Sequence, residues 1–306
     1  MDSQLLGNGA AIIVSMLWTA CSIFFSSAGK RIGALSVNTI RITAAVGLLL
    51  TAHVILMGAL LPSATDGQWF YLGLSGIVGL AIGDIGYIGA LVLIGPRRGV
   101  LLMSTAPIFA ALAAYAMLGE ALGAWALAGI AVTMSGVMLA VLDEKDPGEV
   151  QQIPRDKLAL GYGLAVMGSV CQGVGLVLSK YGMQGADGAE PIDPLSATLM
   201  RMLVGAASMW TVVIVLRRLG EIRKATKDGG AIGRTLAGTV TGPFLGVWLS
   251  MVAISYTLTG VAQTLMSLMP IMVIPVVWIV YRQRTGWRGV VGAAVAIVGV
   301  AMLFLV

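Results

Sequence analysis

The chain has 306 residues, of which 58% are apolar and only 11% charged, with a net charge of +5. A soluble domain carries about 25% charged residues, so a chain this poor in charge could not cover its own surface in water, and the solvent it suits is lipid. Two cysteines are too few for a disulfide framework, and 41 glycines suit membrane helices that pack closely.

The N-terminal stretch "MDSQLLGNGAAIIVSMLW" lacks the basic segment and small-residue cleavage site of a signal peptide, so its apolar run is read as a retained first helix. Spanning the hydrocarbon core takes about 20 apolar residues. That window places helices over 8–29, 35–57, 68–94, 98–118 and 122–142, and after a break over 158–182, 194–216, 234–258, 261–281 and 286–306. The break "DEKDPGEVQQIPRDK" is a long charged segment near the middle of the chain, between two apolar blocks of equal helix number. The expected organisation is a first five-helix repeat (1–142), a cytoplasmic linker (143–157) and a second five-helix repeat (158–306). The fold class is therefore an all-α integral membrane protein of ten transmembrane helices.

The two halves repeat. "LLMSTAPI" at 101–108 and "TLMSLMPI" at 264–271 lie 163 positions apart, and that offset aligns 73–142 with 236–305 without a gap. Gly123, Gly129 and Gly136 then meet Gly286, Gly292 and Gly299, while "LGNGAA" (6–11) echoes "LGYGLA" (160–165) and Arg41 answers Arg201. An odd number of helices per repeat makes the second copy enter the membrane from the opposite side, so the repeats are inverted. Loop charge gives an independent test, because basic residues favour cytoplasmic loops. Sixteen of the 19 Lys and Arg lie in or beside the loops joining helices 1–2, 3–4, 5–6, 7–8 and 9–10, whereas the opposite loops are bare or acidic. The basic balance reflects membrane orientation, and no nucleic-acid partner is expected.

Ionisable side chains at membrane depth are costly and mark functional candidates. Asp84, inside helix 3, has no neutralising residue near it in sequence, and Arg41 on helix 2 is its expected partner. Asp84 is read as a proton-coupling or substrate-contacting carboxylate; the alternative is a structural Asp–Arg pair. Arg41 and Arg201 lie near their helix starts, where long cationic side chains can snorkel to the interface or meet a substrate carboxylate. Lys180 is expected at the interface, Glu120 as a cap of the helix 4–5 turn, and His53 as a packed or interfacial histidine. Trp18 and Phe25, Tyr87, Gln172, Trp248, Tyr256 and Gln263 are the aromatic and neutral polar candidates for a moderately apolar organic solute. Trp69, Trp125 and Trp287 sit beside predicted helix ends and are assigned to the interfaces. Pro107 and Pro270 are placed within helices 4 and 9, where each removes a backbone N–H, with Ser104 and Ser267 one turn earlier. They read as a symmetric pair of bent, gating helices, with Pro243 and Pro275 adding kinks in the second half only. Helices 5 and 10 read as close-packed scaffold.

The five-plus-five arrangement, "APIFAALAAYAMLGEALGAWALAGIAVTMSGVML" (106–139), and an Arg early in helices 2 and 7 resemble the drug/metabolite transporter superfamily, EamA type. The resemblance implies a secondary exporter of amino acids, metabolites or toxic compounds, with a central cavity lined mainly by helices 1, 3, 4, 6, 8 and 9. Arg282-Gln283 stands where that pattern has Gly-Glu. The family pattern also has cytoplasmic termini, whereas the loop charges here put both termini outside.

The expected function is secondary transport, in the export direction, of a small organic metabolite such as an amino acid. It would work by alternating access at a midplane cavity between inverted repeats, with protons as the candidate coupling ion. The location would be a bacterial inner membrane, the assembly a monomer or homodimer, with no cofactor and no metal. A lipid-headgroup or lipid-linked-sugar flippase on the same fold is the alternative. An intramembrane enzyme would need paired aspartates, a nucleophile–base dyad or clustered metal ligands, and the chain has one deep Asp, one His, and no HExxH or CxxC.

Overall fold

A computed structural model describes residues 3–143, 155–185, 188–272 and 286–305, and these are helical almost throughout. In the first half α1 (Ser3–Ile32), α2 (Ala34–Met57) and α3 (Asp66–Ser75) are followed by a π-helical segment, Gly76–Gly83. Then come α4 (Asp84–Met103), α5 (Ala106–Leu118) and α6 (Ala124–Asp143). The second half has α7 (Arg155–Met183), α8 (Pro194–Val215), a short α9 (Leu219–Ala225) and α10 (Gly229–Thr239). A second π-helical segment, Val240–Gly246, leads into α11 (Val247–Tyr256), α12 (Thr259–Met266) and α13 (Trp287–Phe304).

Eight helical runs among the described residues are long and apolar enough to cross a membrane. Those eight correspond to predicted helices 1, 2, 3, 5, 6, 7, 8 and 10. The other two, helices 4 and 9, are interrupted at the duplicated Ser/Pro motif. Helix 4 breaks at Ser104–Thr105 before the 13-residue α5, and helix 9 breaks at Ser267–Leu268 after α12. The remainder of helix 9, with Pro275, Arg282 and Gln283, lies outside the described residues, as does most of the 143–157 linker.

The boundary between helices 3 and 4 differs from the sequence expectation. Helical backbone continues across 95–97 to Met103. The chain nonetheless reverses between Ile94 and Met103. Ile94 lies against Gly161 of α7, while Met103 returns to Gly168, which also meets the Tyr87 backbone. Both limbs of this hairpin therefore pack on α7.

The inversion of the repeats is visible in the pairing of equivalent helices. On α2 and α8, Asn38 contacts Met209 near one end and His53 meets Ser196 at the other, so the two run antiparallel. On α6 and α13, a Cβ added to Gly136 would lie 2.3 Å from Ala296 N, and one on Gly299 would lie 2.4 Å from Thr133 N. Those two contacts are the same contact, carried over by the 163-residue offset. Glycine at both places lets the two backbones touch, as expected of small-residue membrane interfaces. Trp125 and Trp287 are exposed at helix starts, where interfacial belts sit.

Candidate functional site

The π-helical segments organise the centre of the molecule. A π-turn carries i→i+5 bonds, is rare, and recurs at functional sites because it locally unwinds the helix. Among the described residues there are two, and their closing glycines, Gly83 and Gly246, are equivalent at the 163-residue offset. Pro243 lies inside the second segment, but the first segment forms with Leu80 at the equivalent place. The distortion expected in the second half only is thus a property of both halves. Close approach explains the glycines: a Cβ on Gly76 would come within 2.2 Å of the Arg201 carbonyl oxygen.

Each π segment faces the first helix of the other repeat. A Cβ on Gly246 would meet the Trp18 indole at 2.6 Å, and one on Gly242 would meet the Cys21 sulfur at 3.0 Å. In the other half, Gly83 lies against Cys171 and Gln172, and Gly79 against Gly175. Extending the LGNGAA/LGYGLA alignment pairs Trp18 with Gln172 and Cys21 with Gly175. Two of the candidates therefore occupy symmetry-equivalent positions, one per π segment.

Asp84 is the first residue after the first π segment. Its carboxylate accepts from the Arg41 guanidinium in an ion pair whose side chains are 19% and 21% exposed. Arg41 Nε also donates to Asn38 Oδ1 at 2.6 Å, and its guanidinium lies 5.2 Å from the Phe25 ring centroid. The hydrogen bonds, the counter-ion and the ring face together hold Arg41 inward rather than letting it snorkel. Tyr87 lies one turn on from Asp84 along α4.

Arg201 is buried, only 5% exposed. One terminal nitrogen donates to the Met251 sulfur at 3.5 Å, and its Nε has no partner. The other terminal nitrogen is 3.3 Å from the Cβ position of Gly79, on the π segment. The interfacial alternative for Arg201 is therefore corrected: its head group points into the protein.

The remaining candidates divide. Trp248 packs beside Phe244, with ring centroids 6.1 Å apart, at the second π segment. Gln263 is buried on α12, and its carbonyl accepts from the Ser267 backbone N–H and hydroxyl. Tyr256 stands apart: it ends α11, is 46% exposed, and touches Gly7 of α1. Pro107 is not in mid-helix as expected but occupies the second position of α5, where a missing N–H costs nothing. Thr105 Oγ1 turns back onto the Leu102 carbonyl at 2.6 Å and bonds Ser169 of α7 at 2.9 Å. Ser104 is buried next to this break. Pro270 has the equivalent place just after the Ser267–Leu268 turn.

Sequence reasoning missed one buried cluster. Lys180 Nζ lies 2.6 Å from Glu120 Oε1, with side chains 8% and 11% exposed, and it also donates to the Thr257 carbonyl at 2.7 Å. Glu120 in turn accepts from the Thr259 N–H at 2.7 Å and its hydroxyl at 3.1 Å. Glu120 therefore serves the N-terminus of α12 across the repeat boundary instead of capping its own turn, and Lys180 is buried instead of interfacial. No motif could have paired residues so far apart in sequence. His53 is fully engaged: Nδ1 meets the Ala59 carbonyl at 2.6 Å, which makes it the protonated nitrogen, and Nε2 faces Ser196 Oγ at 3.0 Å.

Among the described residues no three His, Cys, Asp or Glu are grouped to hold a metal ion. Comparison with known proteins matches the EamA-like transporter family twice, over residues 5–142 and 159–305. One solved structure, described only as the crystal structure of a protein, shares the fold with a TM-score of 0.78. It is 17% identical and covers 99% of this chain and 96% of the other. No curated protein matches the chain.

Proposed function

The chain belongs to the EamA-like transporter family and is a secondary transporter, not an enzyme; on that premise we propose that it exports a small organic metabolite, of the amino-acid type, by alternating access between its inverted repeats. The observation that carries this reading is the Arg41–Asp84 pair at the unwound end of the first π segment, where helices of both repeats converge. An ion pair only a fifth exposed, next to a locally unwound helix, can open and reform as solute and proton come and go.

In this scheme Asp84 is the coupling carboxylate. With its proton on, it releases Arg41; with its proton off, it holds Arg41 against Asn38 and Phe25. Trp18 and Gln172 cover the two π segments, and Tyr87, Trp248 and Gln263 supply aromatic and hydrogen-bonding surface around the solute. The breaks at Ser104/Pro107 and Ser267/Pro270 act as symmetric gates. The Glu120–Lys180 cluster ties the end of α5 and α7 to the start of α12, and in this scheme it is the contact that closes one face. By loop charge that face, shared with both termini, is the outer one, which leaves the 143–157 linker cytoplasmic, in a bacterial inner membrane.

The test is flux in proteoliposomes with and without a pH gradient, screened over amino acids, organic acids and cationic compounds. Asp84→Asn is expected to abolish gradient-driven flux while leaving the protein folded. Gradient-dependent flux that survives the substitution would remove Asp84 from the mechanism.

A further inference from the structure

The two repeats share an arginine but not its counter-ion. Arg41 pairs with Asp84, and the residue equivalent to Asp84 in the second repeat is Val247, buried in the core. Arg201 points toward α11 as Arg41 points toward α4, and finds the Met251 thioether one turn beyond Val247. A thioether is a weak acceptor and supplies no charge. Arg201 is 5% exposed and its Nε is unpartnered.

Charge balance sharpens the point. Lys180 is neutralised by Glu120, and His53 is engaged by a carbonyl and a hydroxyl. Among the described residues at membrane depth that leaves two permanent cations, Arg41 and Arg201, against the one acid Asp84. Arginine stays protonated in proteins, so it cannot escape by losing its proton. A lone buried guanidinium is costly unless an anion meets it.

We propose that Arg201 is the receptor for a singly charged oxyanion, the carboxylate or phosphodiester of the transported molecule, seated against the Gly79 stretch of the first π segment. The proposal rests on the transporter reading and narrows its substrate class to molecules bearing one such group. Gly79 brings the first π segment up against the guanidinium: a Cβ there would lie 3.3 Å from its terminal nitrogen, so only glycine lets the two meet. The planar fork can hold both oxygens of a carboxylate at once. Repeat asymmetry then has a purpose: one arginine is held by the protein's own acid, and the other is left for the substrate's.

The test uses the purified full chain in maltoside detergent, which carries no phosphate. Thermal stability is titrated with formate, acetate and benzoate, each against chloride at matched ionic strength, and separately with phosphatidylglycerol. The wild type is expected to be stabilised by the carboxylates. Arg201→Met should weaken that apparent affinity by about tenfold or more, the loss of a charge-assisted contact. Val247→Asp supplies an internal partner and should cancel the anion response with Arg201 still present, so the answer does not depend on Arg201→Met folding. Stabilisation by phosphatidylglycerol alone, lost in both variants, would keep the receptor and identify its ligand as a lipid phosphate. An equal anion response in wild type and both variants overturns the proposal. Flux of neutral or cationic solutes that ignores Arg201→Met would also overturn it while leaving secondary transport intact. Absence of flux for every solute would instead count against the transporter reading.

Discussion

Cutting the Glu120–Lys180 pair offers the sharpest energetic test of the fold. Both side chains are about nine-tenths buried, at 11% and 8% exposure. Lys180→Met leaves the Glu120 carboxylate with only the Thr259 N–H and hydroxyl, and Glu120→Gln leaves the ammonium with the Thr257 carbonyl and a neutral amide. Removing one partner of a buried pair costs about 3–5 kcal/mol, because the other charge stays uncompensated. Removing both removes that penalty, and what remains is roughly one or two hydrogen bonds, about 1–3 kcal/mol. The double variant should therefore be more stable than the sum of the singles predicts, by several kcal/mol on the scale of buried-pair couplings. Equilibrium unfolding of the four proteins in mixed detergent micelles measures the cycle. Additive losses, with a coupling below about 0.5 kcal/mol, would mean the pair is solvated and does not tie the halves together.

Two further outcomes follow from the geometry. Gly136→Ala places a methyl within 2.3 Å of the Ala296 nitrogen, so the α6–α13 backbones must part at a cost of about 1–3 kcal/mol. Gly47→Ala on α2 meets nothing within 4 Å and should be neutral or stabilising by up to about 1 kcal/mol; equal thermal stability of the two variants would refute the close-packing account. At the N-terminus of α10, the Asp228 carboxyl is held below the usual carboxylate range by the Ala231 N–H and by Arg31, which bonds it at 2.8 Å. A lowered value in the folded state means that its contribution is complete above the ordinary carboxylate range and disappears as pH falls through the folded value. The protection factors of the first-turn amides of α10, taken against the intrinsic exchange rate at each pH, should fall under acid in the wild type and be low already at neutral pH in Asp228→Ala; unchanged protection in the variant would show that the cap does not hold the turn.

The legible features were those that repeat or that carry charge into apolar surroundings. The offset of 163 residues, the Ser/Pro motif and the loop charges lie in one dimension, and inversion follows from an odd helix count. Asp84 stood out as an acid within an apolar run, and Arg41 was its nearest available cation on the adjoining helix. Which way Tyr256 faces was not legible, because an aromatic at the end of a cavity helix has the same sequence signature either way. Pro107 misled by a few residues, because proline stops one helix and starts the next with equal ease.

Sequence by itself determined the solvent, the duplication, the antiparallel placement of the copies and the acid most costly to bury, since each is a matter of composition, period or parity. Beyond the Arg41–Asp84 pair that the sequence already suggested, only the tertiary structure decided which charges meet. Lys180 finds Glu120, and Arg201 finds no acid among the described residues. It also decided that helices 3 and 8 unwind into π-turns at the same relative place. Those outcomes depend on helices distant in sequence coming within a few ångströms, where desolvation makes a partner, or its absence, count for most.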